Sequence, residues 1–86
     1  MNPEATETLG QRVKRLRLSI MIDFNGSEKP MTHEQLAERS NCCKKTIARI
    51  EADKEMPRFD LISRLAAALN VPITYLEETL GRSKKG

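Results

Sequence analysis

Between Arg39 and Arg49 the chain reads RSNCCKKTIAR, a stretch with four cations and no acid. It follows a short amphipathic segment and itself reads as the start of a helix. Ile47 and Ile50 share one face of that helix, and the basic side chains occupy the rest. A helix of this kind can pack on a core through its isoleucines and offer its charge to a polyanion. The geometry suits the major groove of duplex DNA. Other chemistry has little support. His33 is the sole histidine. No Ser-His-Asp set and no glycine-rich phosphate loop is visible, so no enzyme is expected. Cys42 and Cys43 are adjacent, a spacing that suits neither a disulfide nor zinc ligands. A zinc site from His33, Cys42 and Cys43 lacks a second ligand pair. No metal and no cofactor are expected.

Something must hold that helix in place, and 86 residues allow one small domain with a single modest core. Phe24, Phe59 and Tyr75 are the only aromatic residues, so the core must be aliphatic and alanine. Such a core favours helices packed on helices. The net charge of +3 is mild, but seven of the fifteen basic residues fall between Arg39 and Arg64, and four more are Arg12, Lys14, Arg15 and Arg17. A sequence pI near 9.1 is compatible with a nucleic-acid partner. No apolar run approaches the ~18 residues of a membrane span. The start, MNPEATET, is acidic and polar, unlike a secretory leader. A cytoplasmic protein with reduced thiols is expected, with no membrane partner and no small-molecule substrate.

The spacing predicts five helices and no strand. Residues 1–6 read as a flexible arm, 7–80 as the helical domain and 81–86 as a basic tail. Thr6 or Thr8 caps a first helix in which Leu9, Val13, Leu16 and Ile20 face inward, while Arg12, Arg15 and Ser19 face out. That helix is expected to reach about Ile22, before the turn pair Asn25-Gly26 and the block at Pro30. Residues 23–31 read as a solvated loop, or as a further contact through Lys29 to DNA or to a second subunit. Thr32 with Gln35 forms a capping box for the next helix. Asn41 suits a left-handed turn. A helix over Lys44 to Glu51 follows, closed by Asp53 in a left-handed turn. Pro57 precedes the stripe Leu61, Ile62, Leu65, Ala66 and Leu69, stopped by Asn70. Pro72 opens a last helix with Ile73, Leu76 and Leu80 on one face, ended by Gly81.

The run THEQLAERSNCCKKTIARIE resembles the helix-turn-helix of the Cro and phage-repressor type, the XRE family. Ala37 stands where the two helices cross closely, Asn41 where the family has glycine, and Cys42 at the apolar position after it. EADKEMP is similar to the family's E-x-G-x-x-x-P, with Asp53 in place of glycine. LAAALNVPITYLEETL resembles its fourth and fifth helices. The resemblance covers Leu9 to Leu80 and places the helix-turn-helix at 32–51. It implies an all-α, five-helix, lambda-repressor-like DNA-binding domain. Two departures stand out. Cys43 replaces the usual Ser or Thr cap, and the first connection is about nine residues longer than a usual short turn.

The resemblance also implies roles. Lys44, Lys45 and Arg49 would enter the major groove, where Lys or Arg meets guanine O6 and N7, or would hold phosphates. Thr46 would touch a thymine methyl or a phosphate. Thr32 and His33 match positions that grip the backbone at a helix start. Cys43 sits at the corresponding start of the next helix, and Lys54 and Arg58 flank a loop that meets neighbouring phosphates. Arg17 matches an arginine that pairs with Glu51, which makes both structural. Cys43, beside two lysines at a helix start, has the surroundings of an oxidant-reactive thiol; the plainer reading is a substitute for serine. Ile73, Leu76 and Leu80 either complete the core or form a two-fold interface. The expected activity is transcriptional regulation, by a repressor bound as a homodimer to a palindromic operator. The rival is a protein-interaction module of the same fold, antitoxin-like or polymerase-binding.

Overall fold

The computed structural model describes residues 7–80, so the arm over 1–6, the tail over 81–86 and the stop at Gly81 lie outside the described residues. Five helices and one two-stranded sheet follow in the order α1 (Leu9–Ser19), β1 (Met21–Phe24), β2 (Ser27–Pro30), α2 (His33–Ser40), α3 (Lys44–Glu51), α4 (Phe59–Ala68) and α5 (Ile73–Glu77). None of the described helices is long and apolar enough to cross a membrane.

Two helices begin with the same device. The Thr8 hydroxyl accepts from the Gln11 N–H at 3.2 Å, and the Gln11 side chain accepts from the Thr8 N–H at 3.0 Å. Thr32 and Gln35 repeat the arrangement at α2, with distances of 3.1 and 2.9 Å. Each box satisfies two amide donors that the first turn leaves without a helical acceptor. Left-handed residues close the elements. Asn41 (φ 57°) ends α2, Asp53 (φ 60°) follows α3 and Asn70 (φ 59°) follows α4. Asparagine and aspartate tolerate this region because their short polar side chains bond locally.

The sheet corrects the expectation of an all-helical chain with a looped connector. Helix α1 stops at Ser19, three residues short of Ile22, because Ile20 is extended (φ −95°, ψ 116°). The chain then forms an antiparallel hairpin in which Met21 pairs with Pro30, Ile22 with Lys29, Asp23 with Glu28 and Phe24 with Ser27. The two-residue loop is Asn25-Gly26, both at positive φ (55° and 82°). These are the dihedral signs of a type I′ turn, whose twist matches that of the strands it joins. At the hairpin's base the Met31 N–H donates to the Ile20 carbonyl at 2.9 Å, so the long connection returns beside the point where it left α1.

The core is aliphatic. Leu9, Val13, Met31, Leu36, Ala37, Ile47, Ile50, Ile62, Leu65, Ala66, Leu69 and Leu76 are all buried. A second correction concerns Arg12, expected on the outer side of α1 and only 1 % exposed. Its guanidinium donates to Glu7 at 2.7 Å, to Glu78 at 2.9 Å and to the Tyr75 carbonyl at 2.8 Å, and it lies 4.3 Å from the centre of the Tyr75 ring. Arg15 reaches Glu7 at 2.7 Å and the Tyr75 hydroxyl at 2.9 Å. Burial disfavours the charge on Arg12, but the hydrogen bonds to Glu7 and Glu78 and the field of Tyr75 outweigh it and raise its pKa. Hydrogen bonding from Arg15 does most to hold the Glu7 carboxyl below its ordinary value, against an opposing effect of burial and with help from Arg12. These residues tie the start of α1 to α5.

Candidate nucleic-acid interface

Helices α2 and α3 and the turn between them form a helix-turn-helix. Ala37 is 4 % exposed where α2 packs on its neighbours, and a larger side chain would part them. Ser40 is buried, and its hydroxyl donates to the Leu36 carbonyl at 2.7 Å. Cys42 packs half-buried against the core, 3.4 Å from that hydroxyl. Cys43 is exposed and occupies the N-cap of α3 without a side-chain cap hydrogen bond.

Within α3, Ile47 is 0 % exposed and Ile50 1 % exposed. Lys44, Lys45, Ala48 and Arg49 are exposed, and Thr46 is half-buried. The helix therefore presents its cationic side outward, opposite the two isoleucines. Among the described residues Lys44 and Lys45 have no carboxylate within ion-pair distance. Arg49 does: its Nε lies 3.2 Å from Glu55 Oε1, and both side chains are well exposed. The turn after α3 brings Glu55 back to this arginine, and sequence reasoning missed it because the pair spans a reversal of the chain. Lys54 and Arg58 are exposed on the same loop, Arg58 as the N-cap of α4.

Behind α3 stands a buried ion pair. Arg17 Nε lies 2.7 Å from Glu51 Oε2 and its Nη2 3.0 Å from Oε1, while its Nη1 donates to the Met31 carbonyl at 2.7 Å. The side chains are 7 % and 5 % exposed. This fork connects α1, the end of the hairpin and the last residue of α3. His33 joins it, with Nε2 3.0 Å from Glu51 Oε1. The ring is thus engaged within the protein, though its side chain remains 36 % exposed. Thr32 is exposed, and its hydroxyl serves as the α2 cap. Among the described residues no group of three His, Cys, Asp or Glu is placed to hold a metal ion.

The approach of α1 to the end of α3 requires a glycine that sequence reasoning did not single out. A Cβ on Gly10 would lie 2.3 Å from the Ile50 carbonyl oxygen and 2.9 Å from that of Glu51. The Asp53 carboxylate locks this contact, accepting from the Thr8 hydroxyl at 2.7 Å and the Gly10 N–H at 3.2 Å. Of the three positions expected at a two-fold interface, Leu76 is 0 % exposed within the chain itself. Ile73 and Leu80 are partly buried against the core. The structure thus places this stripe mainly inside.

Fold and exposed cationic helix together define a helix-turn-helix protein. A helix-turn-helix family model matches residues 28–76. The chain is 33 % identical over 75 residues to an immunity repressor protein of Bacillus phage phi105, an alignment covering 85 % of this chain and 46 % of that protein. The chain thus spans about half the length of the curated relative it matches. No solved structure matches. The chain belongs to the helix-turn-helix family of XRE and phage-repressor-type regulators. The match begins at residue 28, so β1 and the hairpin turn lie outside it.

Proposed function

We propose that this chain is a sequence-specific DNA-binding repressor that inserts α3 into the major groove of a palindromic operator as a homodimer. The observation that carries the reading is the two-sidedness of α3: Ile47 and Ile50 are sealed in the core, and Lys44, Lys45 and Arg49 stand in solvent. Lys44, Lys45 and Arg49 address base edges or the phosphates beside them, and Thr46 a thymine methyl or a phosphate. Thr32, His33 and Cys43 lie at the starts of α2 and α3, where free amides and the helix dipole favour phosphate. Lys54 and Arg58 extend the cationic surface to the next phosphates. Arg17 and Glu51 seat the helix and touch no DNA. The five helices correspond to a lambda-repressor-like domain over 7–80, with the hairpin as an insertion between its first two helices. The phage immunity repressor supports repression as the regulatory outcome. One domain covers only part of a helical turn, so strong specificity calls for two half-sites ~34 Å apart. The reading includes no enzymatic step, and its setting is the cytoplasm.

Site selection from random duplexes, followed by footprinting, tests this. The expected result is a symmetric site whose affinity falls steeply with salt. Reversing the charges of Lys44, Lys45 and Arg49 should abolish binding while leaving the circular-dichroism melting profile intact. A folded triple variant with undiminished affinity refutes the reading.

A further inference from the structure

The two outer edges of the hairpin differ. The Met31 N–H donates to the Ile20 carbonyl, so Ile20 and Met31 are a hydrogen-bonded pair. Antiparallel ladders alternate, and Ile22 with Lys29 and Phe24 with Ser27 are then hydrogen-bonded pairs as well. The residues between them turn their N–H and C=O groups away from the partner strand. On β1 these are Met21 and Asp23, and on β2 they are Glu28 and Pro30. Pro30 has no N–H, and proline on an edge strand blocks further pairing. The β1 edge carries no such block. The neighbour of β1 among the elements is β2, which itself lies beside α1. Among the described residues the backbone groups of Met21 and Asp23 have no protein partner. The side chains along this edge are part apolar: Met21 is 49 % exposed and Ile22 is half-buried. Ile22 and Lys29 also form one wall of an open groove of about 460 Å³, with Thr32 and Gln35 at the start of α2 on the other side.

We infer that this edge takes the β1 strand of a second copy of this chain, antiparallel, with the two-fold axis at Ile22. The register selects that occupant. With the axis at Ile22, Met21 of each copy forms a hydrogen-bonded pair with Asp23 of the other, and both outward N–H and C=O groups of each strand are satisfied. Ile22 then stands opposite its own counterpart in a non-hydrogen-bonded pair, where side chains approach most closely. The second isoleucine lies on the sheet face that lines the groove and closes its mouth. Neighbouring registers fail. An axis at Asp23 sets two carboxylates directly opposite each other, which is destabilising. An axis at Met21 pairs Asp23 with Ser19, which is the last residue of α1 and not extended. Strands of four residues bury far less than the ~800 Å² per partner of a standard interface, so the association is weak and fills only at high protein concentration. The contact lies in β1, outside the residues that the family model matches. It goes beyond the reading above, since it forms without DNA and its failure leaves α3 free to bind a groove.

The test uses the full chain without DNA, from micromolar to millimolar concentration. Sedimentation should pass from monomer to dimer. Over the same range, amide hydrogen exchange read by NMR should slow several-fold at Met21 and Asp23, with Glu28 on the opposite edge unchanged. A mixture of labelled and unlabelled protein should give a nuclear Overhauser contact between Ile22 methyl groups of different copies. Asp23→Pro removes an N–H that the hairpin does not use and should abolish the dimer, whereas Glu28→Pro should leave it intact. If Asp23→Pro unfolds the hairpin, the exchange pattern and the Ile22 contact of the wild type decide the matter. A monomer at every concentration overturns the inference. So does a dimer in which the Met21 and Asp23 amides stay unprotected, one that protects Glu28 equally, or one that survives Asp23→Pro in a folded chain.

Discussion

Replacing Glu51 with alanine should be among the most damaging single changes that spare the apolar core. Its carboxylate is 5 % exposed and receives two hydrogen bonds, at 2.7 and 3.0 Å, from an arginine that is 7 % exposed. Glu51→Ala leaves the Arg17 guanidinium buried, with the Met31 carbonyl as its remaining partner from this fork. Breaking a buried pair by removing one member costs ~3–5 kcal/mol. A domain of this size loses ~4–8 °C of melting temperature per kcal/mol. The lower cost of ~3 kcal/mol therefore predicts a fall of ~12–24 °C. The decisive comparison is the double variant Arg17→Met with Glu51→Leu, which buries no ion. It should recover to within ~1–2 kcal/mol of the wild type, the residue of loss coming from the unpaired Met31 carbonyl. Urea and thermal unfolding followed by circular dichroism, on Arg17→Met, Glu51→Leu and the double, measure the coupling. At a temperature where all are folded, the double variant should bind DNA within a few-fold of the wild type, since the pair only seats α3. A Glu51→Ala cost below ~1 kcal/mol refutes the argument, as does a double variant that falls by the sum of the singles.

Three further outcomes are expected. Gly10→Ala gains up to ~1 kcal/mol of helix propensity, but its Cβ meets the Ile50 carbonyl oxygen at 2.3 Å; overpacking against backbone, at ~1–3 kcal/mol or more, should win, and a raised melting temperature contradicts this. The Glu7 carboxyl is held below its ordinary pKa of 4.5, chiefly by Arg15. Its contribution to stability is therefore complete above that value and lost as pH falls through the lower folded value, and Glu7→Gln should flatten the acid limb of a stability–pH profile. The slope of log affinity against log salt should be no steeper than about −4.5 per domain, from ~0.9 per phosphate contact for Lys44, Lys45, Arg49, Lys54 and Arg58; a slope near −6, counting all seven basic residues from Arg39 to Arg64, shows that Arg39 and Arg64 also meet phosphate.

The elements that announce themselves locally were legible. The Thr32–Gln35 capping box lies within four residues, and α3 is bounded by a turn asparagine and an aspartate, so Thr32, Asn41 and Asp53 mark the helix-turn-helix without tertiary information. The hairpin was not legible as strands because all four β2 residues are exposed, which leaves no alternation of polar and apolar side chains to read. Asn25-Gly26 was its only strong local mark. Arg12 misled for the opposite reason. On a helical wheel a cation is assigned to water, whereas its partners Tyr75 and Glu78 lie 63 and 66 residues away. Arg17 and Glu51 are 34 residues apart, and only the resemblance to known repressors linked them beforehand.

Among the described residues the basic side chains bonded within the chain are arginines, although Arg39 and Arg58 stand exposed like the lysines. Arg12, Arg15, Arg17 and Arg64 are engaged in forks to carboxylates, carbonyls or a phenol inside the chain. Lys44, Lys45 and Lys54 are exposed. The division follows from the two cations. A planar guanidinium can satisfy several fixed acceptors and is weakly hydrated, so it tolerates burial, whereas an ammonium on a flexible stem keeps its water. Net charge is therefore a poor guide to how this protein meets a polyanion, since much of its positive charge maintains the scaffold. Arg49 stands between the two groups. It is an arginine on α3, yet its carboxylate partner Glu55 is exposed and bonded at 3.2 Å. A weak, solvated pair of this kind costs little to break, so under the proposed reading Arg49 exchanges Glu55 for guanine or phosphate at little cost.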